Sequence, residues 1–171
     1  LSQKDLLVNY IELSDISGQY NEIINCTRLR VHDLPSRASY ELNKGDIITA
    51  VAGNSIGTSK HVSAIVDDEF DGAVCTNGFR VLIPNSKKID PYYLLYYLKT
   101  PLFLKQVFRY RTGAAIPALS DADLLEILVL VPSAKEQKRI GMVIKKGFEE
   151  RAKYKRNINE VLAEINKNVK Y

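Results

Sequence analysis

The acidic residues and the lysine near position 136 are the first residues whose types and spacing could do chemistry. Glu136 and Lys138, with Asp121 or Asp123 upstream, loosely fit the Glu-x-Lys part of a nuclease metal site. Such a site needs carboxylates that converge on Mg²⁺ from rigid strands, whereas Glu136 stands at the predicted start of a helix. The fit to a nuclease is therefore poor.

A second candidate is Asp90-Pro91-Tyr92-Tyr93, which resembles the Asp-Pro-Pro-Tyr motif of amino-methyltransferases. The second proline of that motif is missing, and no strand is followed by a glycine-rich turn that could hold a nucleotide-like cofactor. The same residues fit a helix start better, with Asp90 as the N-cap and Pro91 at the first helical position. His32 and His61 have no serine or cysteine partner at a meaningful spacing. The sequence predicts no catalytic site, no metal site and no cofactor.

Length and composition favour one globular domain with an appendage. The chain has 171 residues, of which 46% are hydrophobic and 26% are charged, as in a soluble globular protein. The longest apolar run, residues 127–131, is too short to cross a bilayer, so no membrane association is expected. Cys26 and Cys75 are far apart in sequence, which is typical of two reduced cysteines in a cytosolic protein.

The net charge of +4 is unevenly distributed along the chain. Residues 135–171 contain 11 lysines and arginines against 5 acidic residues, and residues 1–134 contain 13 against 15. A nucleic-acid interface in the globular part must therefore rest on a local basic patch. No acidic residue lies between Asp90 and Asp121, and this window holds Lys99, Lys105, Arg109 and Arg111. The alternative is a solvated helix face.

Short strands are predicted along the first half of the chain, where apolar or β-branched runs alternate with turn signals. The predicted strands are residues 7–13, 27–31, 47–51, 61–66 and 79–83. Two apolar helices follow, one after Asp90 and one from Pro101 to Phe108, and residues 127–131 are predicted to form a closing strand. We expect an α+β fold with a mixed, mostly antiparallel, β-rich domain and packed helices, followed by a long C-terminal helix.

From about residue 134 the apolar positions adopt the 4,3,4,3 spacing of a coiled-coil seam. The seam contains Ile140, Ile144, Gly147, Arg151, Tyr154, Ile158, Val161, Ile165 and Asn168, with Leu162 and Val169 beside it. A helix of about 35 residues would be roughly 50 Å long, and a small domain alone cannot cover that stripe, so a partner helix is expected. Gly147 and Arg151 weaken the middle of the seam and predict a complementary residue on the partner. The alternative is a helix folded back on its own domain.

Several short motifs occur in an order that resembles the specificity subunits of type I restriction-modification enzymes. They are Tyr10-Ile11-x-Leu13-x-Asp15-Ile16, Gly45-Asp46-Ile47-Ile48, Gly53-Asn54-Ser55-Ile56-Gly57-x-x-Lys60, Ile89-Asp90-Pro91-Tyr92-Tyr93-Leu94 with Tyr96-Tyr97-Leu98, Gly113-Ala114-Ala115-Ile116-Pro117-x-Leu119-Ser120, and Val129-x-x-Pro132 with Glu136-Gln137-x-x-Ile140. The resemblance covers nearly the whole chain. It implies a DNA target recognition domain, residues 1–133, and a coiled-coil spacer or dimerisation helix, residues 134–171. One minor departure is that Ser133, and not a second proline, follows Pro132.

The resemblance implies a non-catalytic subunit of the bacterial or archaeal cytoplasm that binds double-stranded DNA. It would direct methyltransferase subunits, and indirectly the restriction subunit, to a target. In this family each recognition domain reads half of a split sequence, while paired helices set the distance between the halves and dock the methyltransferase subunits. This chain has room for one recognition domain, so we expect a homodimer, or pairing with the helix of a second recognition domain. The expected dimerisation and docking residues are Ile140, Ile144, Tyr154, Ile158, Val161 and Ile165.

Candidate DNA-binding residues are basic or polar side chains near the predicted loops. Lysine and arginine neutralise phosphates, and arginine also matches the edge of guanine. The candidates are Arg28, Arg30, Arg37, Ser55, Lys60, Lys105, Arg109 and Arg111. The resemblance implies the scaffold and not the target sequence, because base-reading residues vary in this family.

Two other functions remain open at the level of the sequence. The chain could be the C-terminal recognition domain of a single-chain restriction-methyltransferase. It could instead be a coiled-coil adaptor that does not bind DNA, an alternative favoured by the slightly acidic balance of residues 1–134.

Overall fold

A β-rich domain followed by one long helix makes up the computed structural model, which describes residues 5–168. The strands are β1 Leu7–Ile11, β2 Ile16–Ser17, β3 Glu22–Ile23, β4 Thr27–Arg30, β5 Ala38–Glu41, β6 Ile47–Ala50, β7 Ser63–Ile65, β8 Val74–Thr76 and β9 Phe79–Leu82. A four-stranded sheet has the order β4-β1-β8-β5, in which only β1 and β8 are parallel. A second, antiparallel sheet has the order β7-β6-β9, and β2 and β3 form a hairpin. The predicted α+β fold is confirmed.

The hydrophobic core forms around β6, which is buried along its whole length. The β-branched run of Ile47, Ile48 and Thr49 suits a central strand that is covered on both faces. Phe79 from β9 and Phe103 from the following helical region complete the largest buried side chains around it. This core supports the loops that leave the ends of β6, β7 and β9.

Four helices follow the strands: α1 Pro91–Tyr97, α2 Pro101–Tyr110, α3 Asp121–Leu125 and α4 Ala134–Asn168. Asp90 caps α1 by accepting a hydrogen bond from the Tyr93 N–H at 2.9 Å, and Thr100 caps α2 in the same way. Both helices begin with proline, whose missing N–H costs nothing at that position. The predicted helix starts are confirmed. None of the described helices has the length and apolar character needed to span a membrane.

The predicted closing strand at residues 127–131 is wrong, because no strand pairs with it within residues 5–168. The segment instead crosses α1 and α2, where side chains bind its backbone. Tyr93 donates its hydroxyl to the Leu130 carbonyl at 2.6 Å, Tyr97 donates to the Leu128 carbonyl at 2.9 Å, and Gln106 binds both polar groups of Leu128. The side chain of Leu128 remains 77% exposed. The apolar residues 127–131 therefore form a segment held by side chains and not a strand of a sheet.

The first half of α4 is docked on its own domain. Gln137 is buried; its side chain accepts from the Asp90 N–H and donates to the Pro132 carbonyl, both at 2.9 Å. Gly141 lies against Asp90 so closely that a Cβ there would overlap the carboxylate. Ile140 packs against the core, and the ring of Phe148 lies 5.9 Å from that of Tyr92. A helix folded back on its own domain therefore describes this half.

The second half of α4 leaves the domain with its apolar side chains uncovered. These side chains are Tyr154, Ile158, Val161, Leu162 and Ile165, all of them exposed. We call them the distal stripe. Val169, which was assigned to the same stripe, lies outside the described residues. The distal part of the predicted seam is therefore exposed, whereas Ile140 and Ile144 in the first half are partly buried.

Candidate nucleic-acid interface

Two glycine-containing loops meet beside the end of α2. The first glycine loop is residues 53–60 and the second is residues 111–120. The Gly53 N–H donates to the Pro117 carbonyl at 2.9 Å, and the Leu119 N–H donates to the Val51 carbonyl at 2.8 Å. Thr112 and Ala118 exchange backbone hydrogen bonds of 2.8 and 2.7 Å that close the second loop. The structure thus brings together two motifs that are separate in the sequence.

Glycine is required at two positions of these loops for steric reasons. Gly57 has a φ of +71°, and a Cβ there would lie 2.6 Å from the backbone nitrogen of Phe108 in α2. Gly113 has a φ of +98°, and its Cβ would lie 2.6 Å from the Ile116 carbonyl oxygen. L-residues with side chains disfavour this backbone region, and here the space is also occupied. The first loop can therefore lie directly on α2.

A buried histidine holds the first glycine loop from beneath. The Nδ1 atom of His61 accepts a hydrogen bond from the Gly57 N–H at 3.1 Å, so the ring proton belongs on Nε2. Nε2 lies 2.9 Å from the hydroxyl of Thr49, which lies 2.9 Å from that of Ser63. Burial lowers the pKa of His61 to about 4. From the sequence, His61 was considered only as a catalytic candidate. The signal for its structural role is its position two residues before β7, the strand in which Ser63 pairs with Thr49.

Acid is expected to destabilise the domain through His61. The unfolded histidine has a pKa of about 6.5, so between that value and about 4 only the unfolded chain binds the proton. Stability contributed by neutral His61 is present above pH 6.5 and is lost as the pH falls towards 4, by about 3 kcal/mol. Urea unfolding of the wild type and of His61→Asn across pH 4 to 7 measures this loss. Parallel curves for the two proteins would contradict the assignment.

Arg111 fastens the two loops together and is not an open cation. Its guanidinium donates to the Ile56 carbonyl at 2.8 Å and lies 3.8 Å from the centre of the Phe108 ring. Lys99, from the same acid-free window, donates to the Gly18 carbonyl, and burial lowers its pKa. Lys105 and Arg109 lie one turn apart on α2, are exposed, and have no hydrogen-bond or ion-pair partner in the described chain. The expected patch is thus smaller than the sequence indicated.

The N-terminal arginines divide between the two edges of the four-stranded sheet. Arg28 and Arg30 lie on the edge strand β4, opposite Asn9 and Leu7 of β1, so both project from the same face. Both are exposed and form no ion pair among residues 5–168. Arg37, just before β5 at the other edge, binds the Tyr10 hydroxyl and the Glu12 carboxylate. The structure does not bring these three arginines together.

Ser55 and Lys60 both belong to the first glycine loop. Ser55 is partly buried, and its carbonyl accepts a 2.7 Å hydrogen bond from the Thr58 hydroxyl. The Lys60 side chain is exposed and has no polar partner within the described part of the chain. Gly57 touches Phe108, so Lys60 lies three residues from that contact and Arg109 lies one residue from it. Lys60, Lys105 and Arg109 are therefore exposed cations on the two elements that meet at this contact, the first glycine loop and α2.

The carboxylates considered for a metal site do not converge. Glu136 pairs with Arg139, Asp121 pairs with Arg80, and Asp123 accepts from Ser120 at 2.5 Å. Across residues 5–168, no cluster of three or more histidine, cysteine or acidic side chains could hold a metal ion. The sequence did not identify Arg80 as the partner of Asp121. The Arg80 guanidinium also lies 5.6 Å from the centre of the Tyr40 ring.

Comparison with known proteins shows similarity to type I restriction specificity domains over most of the chain. The family model for the type I restriction modification DNA specificity domain matches residues 11–164. The putative type I restriction enzyme MjaX specificity subunit of Methanocaldococcus jannaschii is 29% identical over 111 residues, which cover 63% of this chain and 25% of that protein. The HindI specificity subunit of Haemophilus influenzae is 24% identical over 161 residues, covering 92% of this chain and 33% of the relative.

Two solved structures have the same fold. A chain from a study of complex assembly and conformational transition in the type I R-M system is 25% identical, with a TM-score of 0.72. The HsdS subunit from Thermoanaerobacter tengcongensis is 25% identical, with a TM-score of 0.71. In each case the match covers 96% of this chain and 40% of the other. The chain thus spans a quarter to two fifths of the length of these relatives.

Proposed function

Because the chain belongs to the type I restriction modification DNA specificity domain family, we propose that it reads a short sequence of double-stranded DNA and contains no reaction centre of its own. The observation that carries this proposal is the pair of joined glycine loops, with the exposed cation Lys60 on the first loop and the exposed cations Lys105 and Arg109 on α2, which that loop contacts. Cations of this kind neutralise phosphates and orient a protein on the duplex. Arg28 and Arg30 form a second open basic pair.

We assign sequence choice to side chains that would reach base edges from the first glycine loop and from β4. Arginine fits guanine, and hydroxyl or amide side chains fit several base edges. In the proposed interface these roles fall to Ser55 in the first glycine loop and to Arg28 and Arg30 on β4. Arg111 and Arg37 would act indirectly, because both are already bound within the protein.

Partners follow from the uncovered part of α4. We assign the distal stripe to pairing with a second helix, from a second copy or from a second recognition domain. The paired helices would separate two half-sites and present a surface for methyltransferase subunits, through which the restriction subunit is reached. A single-chain restriction-methyltransferase would use the same recognition surface.

Selection from a random pool of duplex DNA tests the proposed function. The chain is incubated with the pool at moderate salt, with and without a methyltransferase subunit, and the retained DNA is sequenced. Enrichment of one short motif, or of two copies at a fixed distance, is the expected result. Retention without enrichment of any motif would sink the proposal, and no DNA binding even at low salt would favour the adaptor function.

Removing two open cations is expected to weaken DNA binding without unfolding the domain. Lys105→Ala with Arg109→Ala should lower affinity roughly tenfold at 0.1 M salt and reduce the slope of log affinity against log salt by about 2, since each lost phosphate contact contributes about 0.9. A fluorescence titration at several salt concentrations measures both. The matched control is Lys153→Ala with Arg156→Ala on exposed positions of α4. Equal losses in both variants would remove α2 from the interface.

A further inference from the structure

Glu22 of the β2–β3 hairpin holds two cations of α4 with one carboxylate. Its Oε1 atom accepts from Arg151 Nε at 2.6 Å, and its Oε2 atom accepts from Lys155 Nζ at 3.1 Å. The Glu22 side chain is only 11% exposed. In the other described ion pairs of α4, the acidic partner lies on α4 itself. We call Glu22, Arg151 and Lys155 the arm clamp.

Aromatic side chains and a second helix reinforce the arm clamp. The Arg151 guanidinium lies 5.2 Å from the centre of the Tyr20 ring and 4.8 Å from that of Phe148. In the turn between β2 and β3, the Gly18 carbonyl accepts a hydrogen bond from Lys99, which follows α1. The hairpin is thus fixed to the domain through Lys99 and to α4 through Glu22, so it transmits the position of one to the other.

Two separated contacts define the direction of a rigid helix, whereas one contact leaves it free to pivot. Gln137 holds the start of α4, and Arg151 holds its middle, 14 residues or about 21 Å further along at 1.5 Å per residue. The distal stripe lies beyond the second contact. Without the arm clamp, the apolar contacts of Ile140 and Phe148 with the domain would remain to oppose a pivot about Gln137. A rotation of roughly 10° about Gln137 would move the far end of the helix by about 8 Å, which is more than two base-pair steps of DNA.

We propose that the arm clamp sets the direction of α4 relative to the recognition domain and so fixes the distance between two DNA half-sites. Glu22, Arg151 and Lys155 are then positioning residues that determine spacing specificity without touching DNA. This inference rests on the proposed function for its DNA consequence, but the fixed direction of α4 is a property of the chain itself. The two can therefore be tested separately.

A distance measurement without DNA tests the clamp. Spin labels are placed on cysteines at exposed Ser39 and Asn166 in a Cys26→Ser background; Cys75 is buried and its pKa is raised to about 12, so it stays unlabelled. Labelled chain is diluted with unlabelled chain so that distances within one chain dominate. Pulsed electron paramagnetic resonance then records the distribution of the distance between the labels at positions 39 and 166. The wild type should give one narrow distribution, and Glu22→Gln a distribution at least twice as broad. An unchanged width in Glu22→Gln would overturn the proposal.

Two further variants separate the clamp from general damage. Glu150→Gln removes the partner of Lys146 within α4 and should leave the distribution narrow. Arg151→Gln with Lys155→Gln breaks the clamp from the helix side, and it should reproduce the broadening even if Glu22→Gln folds poorly. A narrow distribution in a folded Arg151→Gln, Lys155→Gln protein would also overturn the clamp.

Selection from random duplex DNA then tests the consequence for spacing. The wild type should enrich two half-sites at one distance, and Glu22→Gln the same half-sites over a range of several base pairs. The wild-type distance alone in Glu22→Gln would overturn the role of the clamp in spacing. No enrichment by the wild type would instead reject the proposed function, while the distance measurement would still decide whether the clamp fixes α4.

Discussion

Gly57→Ala is expected to destabilise the domain by about 3 kcal/mol or more and to displace the first glycine loop. The backbone at φ +71° costs an alanine about 1 to 2 kcal/mol. The added Cβ would also lie 2.6 Å from the nitrogen and 2.8 Å from the Cα of Phe108, so the loop or α2 must move. Urea unfolding measures the loss of stability, and DNA affinity reports the displacement of Lys60.

Gly72→Ala is the matched control for this prediction. Gly72 has a similar φ of +76°, but no atom lies within 4 Å of the Cβ position. Its replacement should therefore cost only the backbone term, about 1 to 2 kcal/mol. The difference between the two variants isolates the contact between the first glycine loop and α2. Equal destabilisation would show that this contact is not needed.

Ile158→Glu with Ile165→Glu is expected to abolish self-association of the chain. A symmetric pair of helices would bury four isoleucine side chains, each contributing about 1.5 to 3 kcal/mol. Replacing them with like charges should weaken the dimer by more than a hundredfold, leaving a monomer at tens of micromolar. Sedimentation velocity over a concentration series measures this change.

The control for the distal stripe keeps the charge change and moves it by one residue. Asn159→Glu with Asn166→Glu places the same two carboxylates on neighbouring exposed positions of α4. This variant should remain as associated as the wild type. A wild type that is monomeric at every concentration would count against a homodimer and leave pairing with a different helix to be tested. Equal dissociation of both variants would remove the distal stripe as the cause.

Local signals in the sequence predicted much of the fold. Asp90 before Pro91 and Thr100 before Pro101 start helices because a cap and a proline act within one turn. The β-branched run in β6 correctly predicted a buried strand because strand preference is also a property of neighbouring residues. The predicted strand at residues 127–131 was wrong because a run of hydrophobic residues does not show whether another strand or a set of side chains will bind its backbone. Tyr93, Tyr97 and Gln106 provided those bonds.

The candidate site was less predictable because the state of each cation depends on distant partners. The sequence predicted Arg111 to be available for DNA, but in the structure its guanidinium donates a hydrogen bond to the Ile56 carbonyl. Arg151 predicted a complementary residue, and the structure supplies one, but from the same chain and 129 residues away in Glu22. No spacing rule connects residues so far apart. Lys105 and Arg109 form no ion pair within residues 5–168 because the acidic side chains of α3, which packs on α2, bind elsewhere: Asp121 pairs with Arg80, and Asp123 accepts from Ser120.

The way the glycine loops are fixed has a consequence for how targets can change over evolution. The first loop is fixed by backbone bonds at Gly53, by Gly57 against α2 and by His61 beneath it, while the second is closed by backbone bonds between Thr112 and Ala118. None of these contacts uses the side chains of Asn54, Ser59, Ala114 and Ala115, which are exposed. Under the proposed function, substitutions at such positions would add or remove base contacts beside those of Ser55 and so change the target on an unchanged scaffold. New specificity could then accumulate one residue at a time without passing through unfolded intermediates.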